Sequence, residues 1–160
     1  MKENIKIRIA EEKDIPNIVP LAIELMRYHE KIDPFYKICS NAELIWQNYI
    51  NELLLDLNSR VTIAESDDEI IGYSISRIVF RPHIYEENKI GDISDCFIKQ
   101  EYRGKFILQK LIKDGVTWFQ SKGIRYIGGQ VDIRNIRTSK LWQAMGYQPY
   151  IQRLVRDFNE

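Results

Sequence analysis

A chain of 160 residues is long enough for one domain with a substantial core and too short for several. Its formal net charge of +0 argues against a basic nucleic-acid-binding surface, and no apolar run approaches the roughly 20 residues of a membrane span. With 44% hydrophobic and 29% charged residues, the composition is that of an ordinary globular protein.

The start, Met1-Lys2-Glu3-Asn4, carries no signal-peptide pattern. Lys6–Ala10 alternates weakly, as a first strand. Asp14 stands where an N-cap belongs, with Pro16 tolerated in the first turn, and Ile18, Leu21, Ala22, Leu25 and Met26 form an apolar stripe at helical spacing. Pro20 removes a backbone donor, which predicts a kink or a late helix start. Tyr28–Cys39 breaks the pattern at Asp33-Pro34, because the residue before proline resists the α region. This connector is rich in His, Asp and Tyr; read on its own, it is an amphipathic elbow whose Phe35 and Tyr36 cap the core.

Ser40-Asn41-Ala42-Glu43 spells a capping box. It opens a helix with Trp46, Tyr49, Ile50, Leu53, Leu54 and Leu57 on one face, ended by Asn58-Ser59. Val61–Glu65 and Ile70–Phe80 read as strands joined by the polar turn Ser66–Glu69. A loop follows over Arg81–Asn88, then a strand, Ile90–Ile98, so that three consecutive strands form an antiparallel meander. Lys99–Arg103 is a charged turn, and from Gly104 the period becomes helical, with Ile107, Leu108, Leu111, Ile112 and Phe119. A strand feeding a helix in this way aims the first free N–H groups of the helix past the strand end, an arrangement that suits phosphate. Gly123 is a C′ glycine. Ile124–Val131 is a strand, Asn135 caps a helix ended by Gly146, and Tyr147–Phe158 supplies a last strand. Cys39 and Cys96 are too few for a disulfide framework, so a reduced, cytoplasmic chain with both cysteines in or near the core is expected. The order β-α-α-β-β-β-α-β-α-β gives an α/β or α+β domain spanning 1–160 with a central mixed sheet.

Two stretches carry more than periodicity. Asp95-Cys96-Phe97-Ile98 followed by Tyr102-Arg103-Gly104-Lys105 resembles motif A of the GNAT superfamily of N-acetyltransferases, whose loop reads arginine or glutamine, two residues, glycine, one residue, then glycine or alanine. Val131–Tyr147, with Asn135, Thr138, Leu141, Trp142, Gly146 and Tyr147 in register, resembles motif B of the same enzymes. The two motifs stand in order at the family's usual separation, and the preceding elements agree with its fold, a sheet splayed between Ile90–Ile98 and Ile124–Val131.

The resemblance implies an N-acetyltransferase that moves an acetyl group from acetyl-CoA to a primary amine by direct transfer. It implies that the backbone of Cys96, Phe97 and Ile98 pairs with the pantetheine arm, and that the N–H near Phe97 polarises the thioester and stabilises the oxyanion. The loop Arg103, Gly104, Lys105, Phe106, Ile107 and Leu108 would hold the pyrophosphate; Asn135 and Trp142 would meet the cofactor, with Arg134, Arg137 and Lys140 available to the 3′-phosphate. His29, Asp33 and Tyr36 would line the amine-binding wall. No metal, nucleic acid or membrane enters this picture. The acceptor is a small-molecule or peptide amine, and a homodimer is expected because family members often pair.

Two positions depart from the family spelling. Phe106 and Leu108 occupy the small-residue positions of the phosphate loop, where glycine permits close approach and positive φ. Trp142 stands where most members have the tyrosine that protonates the departing thiolate, and an indole N–H is no usable acid. Tyr147, Tyr150 and Tyr102 are the substitutes. Asp95 is the carboxylate nearest the reacting strand, while His83, Glu86 and Glu87 in the preceding loop are further candidates for the general base. A second reading follows from the altered loop: a GNAT-fold module with weakened CoA binding that serves as a non-catalytic binding protein.

Overall fold

The computed structural model describes residues 4–158. They fall into two compact units divided between Gln130 and Val131. Met1–Glu3, the start read above for a leader pattern, lies outside the described residues.

The first unit opens with strand β1 (Ile5–Ile9), one 3-10 turn (Glu12–Asp14) and helix α1 (Ile15–Ile32). Asp14 occupies the N-cap position, as expected, but its carboxylate does not cap α1. It accepts the Glu11 amide at 2.8 Å and both Arg8 Nη atoms at 2.7 and 2.9 Å, while Arg8 also reaches Glu65. Helix α1 runs through Pro20 without the late start expected from sequence. Pro20 is exposed in the second turn, where the bond it forfeits belongs to the Pro16 carbonyl, a group water can serve. The helix stops at Ile32, before Asp33-Pro34, and Pro34–Tyr36 forms a 3-10 turn capped by the Asp33 side chain.

Helix α2 spans Ala42–Leu55. The expected Ser40–Glu43 capping box does not form: Asn41 is the N-cap, makes no side-chain bond, and leaves Ser40 one residue too early. The helix also ends earlier than expected, because the Asp56 carboxylate draws in Asn58 N–H at 2.9 Å and Ser59 Oγ at 2.6 Å. Leu57 thereby leaves the apolar face and is 86% exposed. Cys39, expected near the core, is exposed in the segment before α2.

Strands β2 (Ser59–Ser66), β3 (Glu69–Phe80), β4 (Lys89–Ile98) and β5 (Ile127–Gly129) complete a sheet in the order β1-β2-β3-β4-β5. All neighbours are antiparallel except β4 and β5, which are parallel. Asp67 and Asp68 take φ of 49° and 63°, the double left-handed turn whose twist suits a two-residue hairpin. Helices α1 and α2 cover one sheet face, where Ile18, Leu21 and Ile50 meet Ile63, Tyr73, Ile75 and Phe97. Helix α3 (Ile107–Ser121) covers the other, its Ile107 and Leu111 packing with Ala64, Ile71 and Ile98. Gly115 lets α3 approach closely, since a Cβ there would lie 2.4 Å from Ser76 Oγ.

The position of the site is set by one irregularity in β4. Ile75 pairs with Asp95, but the next residue, Ser76, pairs with Ile93, so Ser94 is an inserted bulge residue. Strand β5 is only three residues long, shorter than the expected Ile124–Val131, and pairs with Gly91–Ile93 alone. Beyond the bulge, Asp95–Ile98 has no ladder partner on that side among the described residues. This is the expected splay, produced by the bulge.

The second unit contains helix α4 (Ile136–Ala144), capped by Asn135 Oδ1, which accepts the Thr138 amide at 3.2 Å. Gly146 follows it at φ +91°. Among the described residues no strand forms in the expected Tyr147–Phe158 stretch. Pro149 removes a ladder donor there, and a strand without a partner edge does not persist alone. No helix among the described residues is long and apolar enough to cross a membrane.

Candidate active site

An antiparallel strand turns the N–H and C=O of alternate residues to opposite sides. Lys99 N–H donates to Ile71 O at 2.9 Å, so Lys99 faces β3, and by the same parity so does Phe97, which pairs with Tyr73. The Phe97 amide, expected to polarise the thioester, is therefore directed into the ladder. The backbone groups of Cys96 and Ile98 point the other way, to the open side left by β5. The Ile98 carbonyl there accepts Arg103 Nε at 3.0 Å, which ties the following loop to the strand end. Phe97 itself is a core residue, 5% exposed, with the Arg103 guanidinium 5.5 Å from its ring centre.

The same bulge sorts the side chains. Residues 92 and 95 of a regular strand would face opposite sides of a sheet. The extra residue Ser94 puts both on the side covered by α1 and α2, Asp92 opposite Arg77 and Asp95 opposite Ile75. Arg77 Nη1 donates to Tyr49 OH on α2, a long contact of 3.4 Å. Ser94 Oγ donates to Asp92 Oδ2 at 2.8 Å. Burial pushes the Asp95 carboxyl up to about 6, with repulsion from Asp92 adding to it and Arg77 opposing it. A carboxylate poised near 6 is unprotonated and still basic at neutral pH. Burial, reinforced by Asp95, pushes the Cys96 thiol up to about 12, so it stays protonated and is no nucleophile. Burial also raises the Tyr73 hydroxyl, which makes no hydrogen bond, and the partly buried Tyr49.

Beyond β4 the loop reaches α3 through two left-handed residues, Gly104 at φ +81° and Phe106 at φ +59°, ψ +18°. Helix α3 starts at Ile107, later than the change of period at Gly104 suggested, with Phe106 as an N-cap that makes no side-chain bond. Lys110 N–H is the first to find a backbone acceptor, Phe106 O at 3.2 Å, which leaves the Ile107, Leu108 and Gln109 amides at the open end of the helix. Phe106 holds the backbone shape for which glycine is the usual residue, and its ring is 70% exposed. Leu108 is already helical, needs no positive φ, and packs against the α3-side core. A left-handed non-glycine residue costs about 1–2 kcal/mol. Phe106→Gly is therefore expected to raise stability by about 1 kcal/mol in chemical denaturation, and to change acetyl-CoA affinity less than about tenfold by calorimetry.

A family model described as "Acetyltransferase (GNAT) family" matches residues 23–147. The chain belongs to the GNAT family of acetyltransferases. An uncharacterised N-acetyltransferase of Archaeoglobus fulgidus is 27% identical to this GNAT chain over 114 residues, 71% of this chain and 73% of that protein. A tetramutant of the BH1408 protein of Bacillus halodurans shares its fold at a TM-score of 0.85 and 18% identity, covering 96% of this chain and 99% of that one. The aminoglycoside N-acetyltransferase AAC(6')-Iy, solved in complex with CoA, is similar at a TM-score of 0.79 and 16% identity, over 98% and 96% of the two chains.

The remaining expected site residues of the acetyltransferase divide between its two units. In the first, His29 lies on α1 and stacks with Tyr28 and Tyr36 at centroid distances of 6.0 and 5.6 Å, while Tyr36 meets Phe35 at 5.4 Å. Asp33 caps the turn carrying them. They form an aromatic wall at the α1–α2 junction, with Tyr36 36% and Phe35 61% exposed, so the two rings do not cap the core as expected. Lys105 Nζ stands 4.9 Å from the Tyr102 ring centre. His83, Glu86 and Glu87 belong to a loop held by its own contacts, His83 to Asn88 at 3.0 Å and Glu87 to Arg125 at 3.6 Å. In the second unit Trp142 is buried and meets Tyr147 edge-on, with ring centres 4.6 Å apart. Arg134 is chelated by Asp132 at 2.7 and 2.8 Å. Arg77, Asp92, Tyr49 and Tyr73 were not singled out in the sequence. Ordinary alternation puts Tyr73 and Arg77 on one face, but only the bulge at Ser94 adds Asp92 to the face of Asp95, and a serine within a strand is no signal of a bulge.

Proposed function

We propose that the chain, residues 1–160 acting as one catalytic domain, transfers an acetyl group from acetyl-CoA directly to a primary amine. One observation carries this: past Ser94 the Cys96 and Ile98 backbone faces a side with no ladder partner among the described residues, and the loop after it leads to the Ile107, Leu108 and Gln109 amides at the start of α3. An extended amide-bearing arm adds to such an edge, and a pyrophosphate suits such a helix start. The likeness to AAC(6')-Iy, whose structure holds CoA, supports the same donor and a small amine acceptor.

Acetyl-CoA supplies an activated thioester. The Cys96 amide takes over the role expected of Phe97, donating to the thioester oxygen as negative charge gathers there. Asp95 accepts the proton that the amine must lose before its nitrogen can attack. Tyr147, whose ring meets that of Trp142, is the phenol assigned to return a proton to the departing sulfur. Ile98 and the amides of Ile107, Leu108 and Gln109 hold the donor. His29, Asp33 and Tyr36 wall the acceptor. A second copy pairing through the sheet or C-terminal segment belongs to the same reading.

The experiment is thiol release from acetyl-CoA in the presence of small primary amines. Release that requires both the amine and the protein, with acetylated amine found by mass spectrometry, is the expected result. Thiol release that does not depend on the amine, or none with any amine, contradicts it.

A further inference from the structure

The proposed amine-binding face carries two half-buried carboxylates, Asp92 and Asp95, for one nearby guanidinium, Arg77. Among the described residues neither carboxylate forms an ion pair, although Arg77 is the direct cross-strand neighbour of Asp92. Arg77 directs its side-chain hydrogen bond to Tyr49. Asp92 accepts the Ser94 hydroxyl at Oδ2, and among the described residues its Oδ1 takes no hydrogen bond. The face also contains a polar group that no described residue serves: the hydroxyl of Tyr73, 0% exposed and without a hydrogen bond, close enough to Asp95 to feel its charge. A buried hydroxyl without a partner and two carboxylates that share one guanidinium favour a cation with N–H donors at this face.

We propose that the acceptor is a diamine or longer polyamine whose second ammonium is held by Asp92 while the reacting amine meets Asp95. This rests on the acetyl-transfer reading above for the role of Asp95. The bulge sets the spacing: two strand positions apart on one face corresponds to about 7 Å. Ammonium groups separated by three or four methylenes span a similar distance. A single amine leaves Asp92 unmatched, and an amino acid of the same length places a carboxylate against a face that is already net negative.

The test is calorimetric titration of the CoA-loaded protein with three compounds of equal length: 1,4-diaminobutane, butylamine and 4-aminobutanoate. The diamine is expected to bind at least about tenfold more tightly than butylamine, the worth of one charge-assisted hydrogen bond. Asp92→Asn should bring the diamine to the level of butylamine, and Asp92→Glu should keep part of the preference. Equal binding of diamine and butylamine to the wild-type protein, or no binding of either, overturns the proposal without recourse to any variant. So does tighter binding of 4-aminobutanoate that Arg77→Gln abolishes. Thiol release with the same compounds separates the two readings. A binding preference without acetyl transfer retains the diamine site and removes the enzymatic role; acetyl transfer without the preference does the reverse.

Discussion

Asp95→Asn is expected to lower amine acetylation by about 10²–10⁴-fold, the usual worth of a general base. The same substitution is expected to make the protein more stable at pH 8. Both follow from one fact: burial beside Asp92 raises the Asp95 carboxyl to about 6. A carboxyl with a folded value above its unfolded value of about 3.9 retains its proton longer in the native state, so native stability falls as pH rises from about 4 to 6. Above pH 6 the ionised side chain costs about 1–3 kcal/mol, discounted for partial exposure. Asparagine removes that cost, so the gain in melting temperature over wild type should be larger at pH 8 than at pH 4. The wild-type pH–rate profile should show its acid limb near pH 6. A variant with no pH-dependent gain in stability would contradict a raised Asp95 carboxyl, and one that keeps full activity would remove it as the base.

Asp14→Ala is expected to cost about 3 kcal/mol, the lower end of the range for breaking a buried ion pair, because Arg8 keeps Glu65 as a partner. Asp14 is only 4% exposed and carries three hydrogen bonds, two from Arg8 and one from the Glu11 amide. The hydrogen bond from Arg8 holds its carboxyl below the ordinary value. The sign is then the reverse of Asp95: the stabilisation is present above the unfolded value of about 3.9 and is lost as pH falls through the lower folded value. Urea unfolding at pH 7 and pH 3 should show a large difference between wild type and Asp14→Asn at the first pH and a smaller one at the second. Equal differences at both would assign the loss to packing.

Most of the fold was legible because it rests on local patterns. The stripe Ile18, Leu21, Ala22, Leu25 placed α1, the polar turn at Asp67-Asp68 placed the β2–β3 hairpin, and Gly123 ended α3. The misreadings share a cause: a side chain spent on a different partner than its neighbours in sequence suggested. Asp14 looked like a cap and serves Arg8; Ser40 looked like a cap and lies a residue outside α2; Asp56, unremarked, ends that helix by capturing Asn58 and Ser59. The site was half visible. Asp95 and the loop after Arg103 carried a recognisable spelling, whereas the direction of each amide on β4 depends on a register that Ser94 shifts by one residue. The family resemblance assigned the thioester to the N–H near Phe97; the ladder turns that amide inward and presents those of Cys96 and Ile98 instead. Phe106 looked like a broken phosphate loop, yet its backbone takes the left-handed shape regardless of its side chain.

The central claim is that an acyl-CoA lies along the open edge of β4 and ends on the start of α3. Amide-resolved NMR during titration with acetyl-CoA tests it most directly. The account predicts that the Cys96 and Ile98 amides and those of Gly104–Leu108 shift together at micromolar to low millimolar ligand, while the Phe97 amide, bonded within the ladder, shifts least among its neighbours. Saturating acetyl-CoA that leaves Cys96, Ile98 and the Gly104–Leu108 loop unmoved would contradict it.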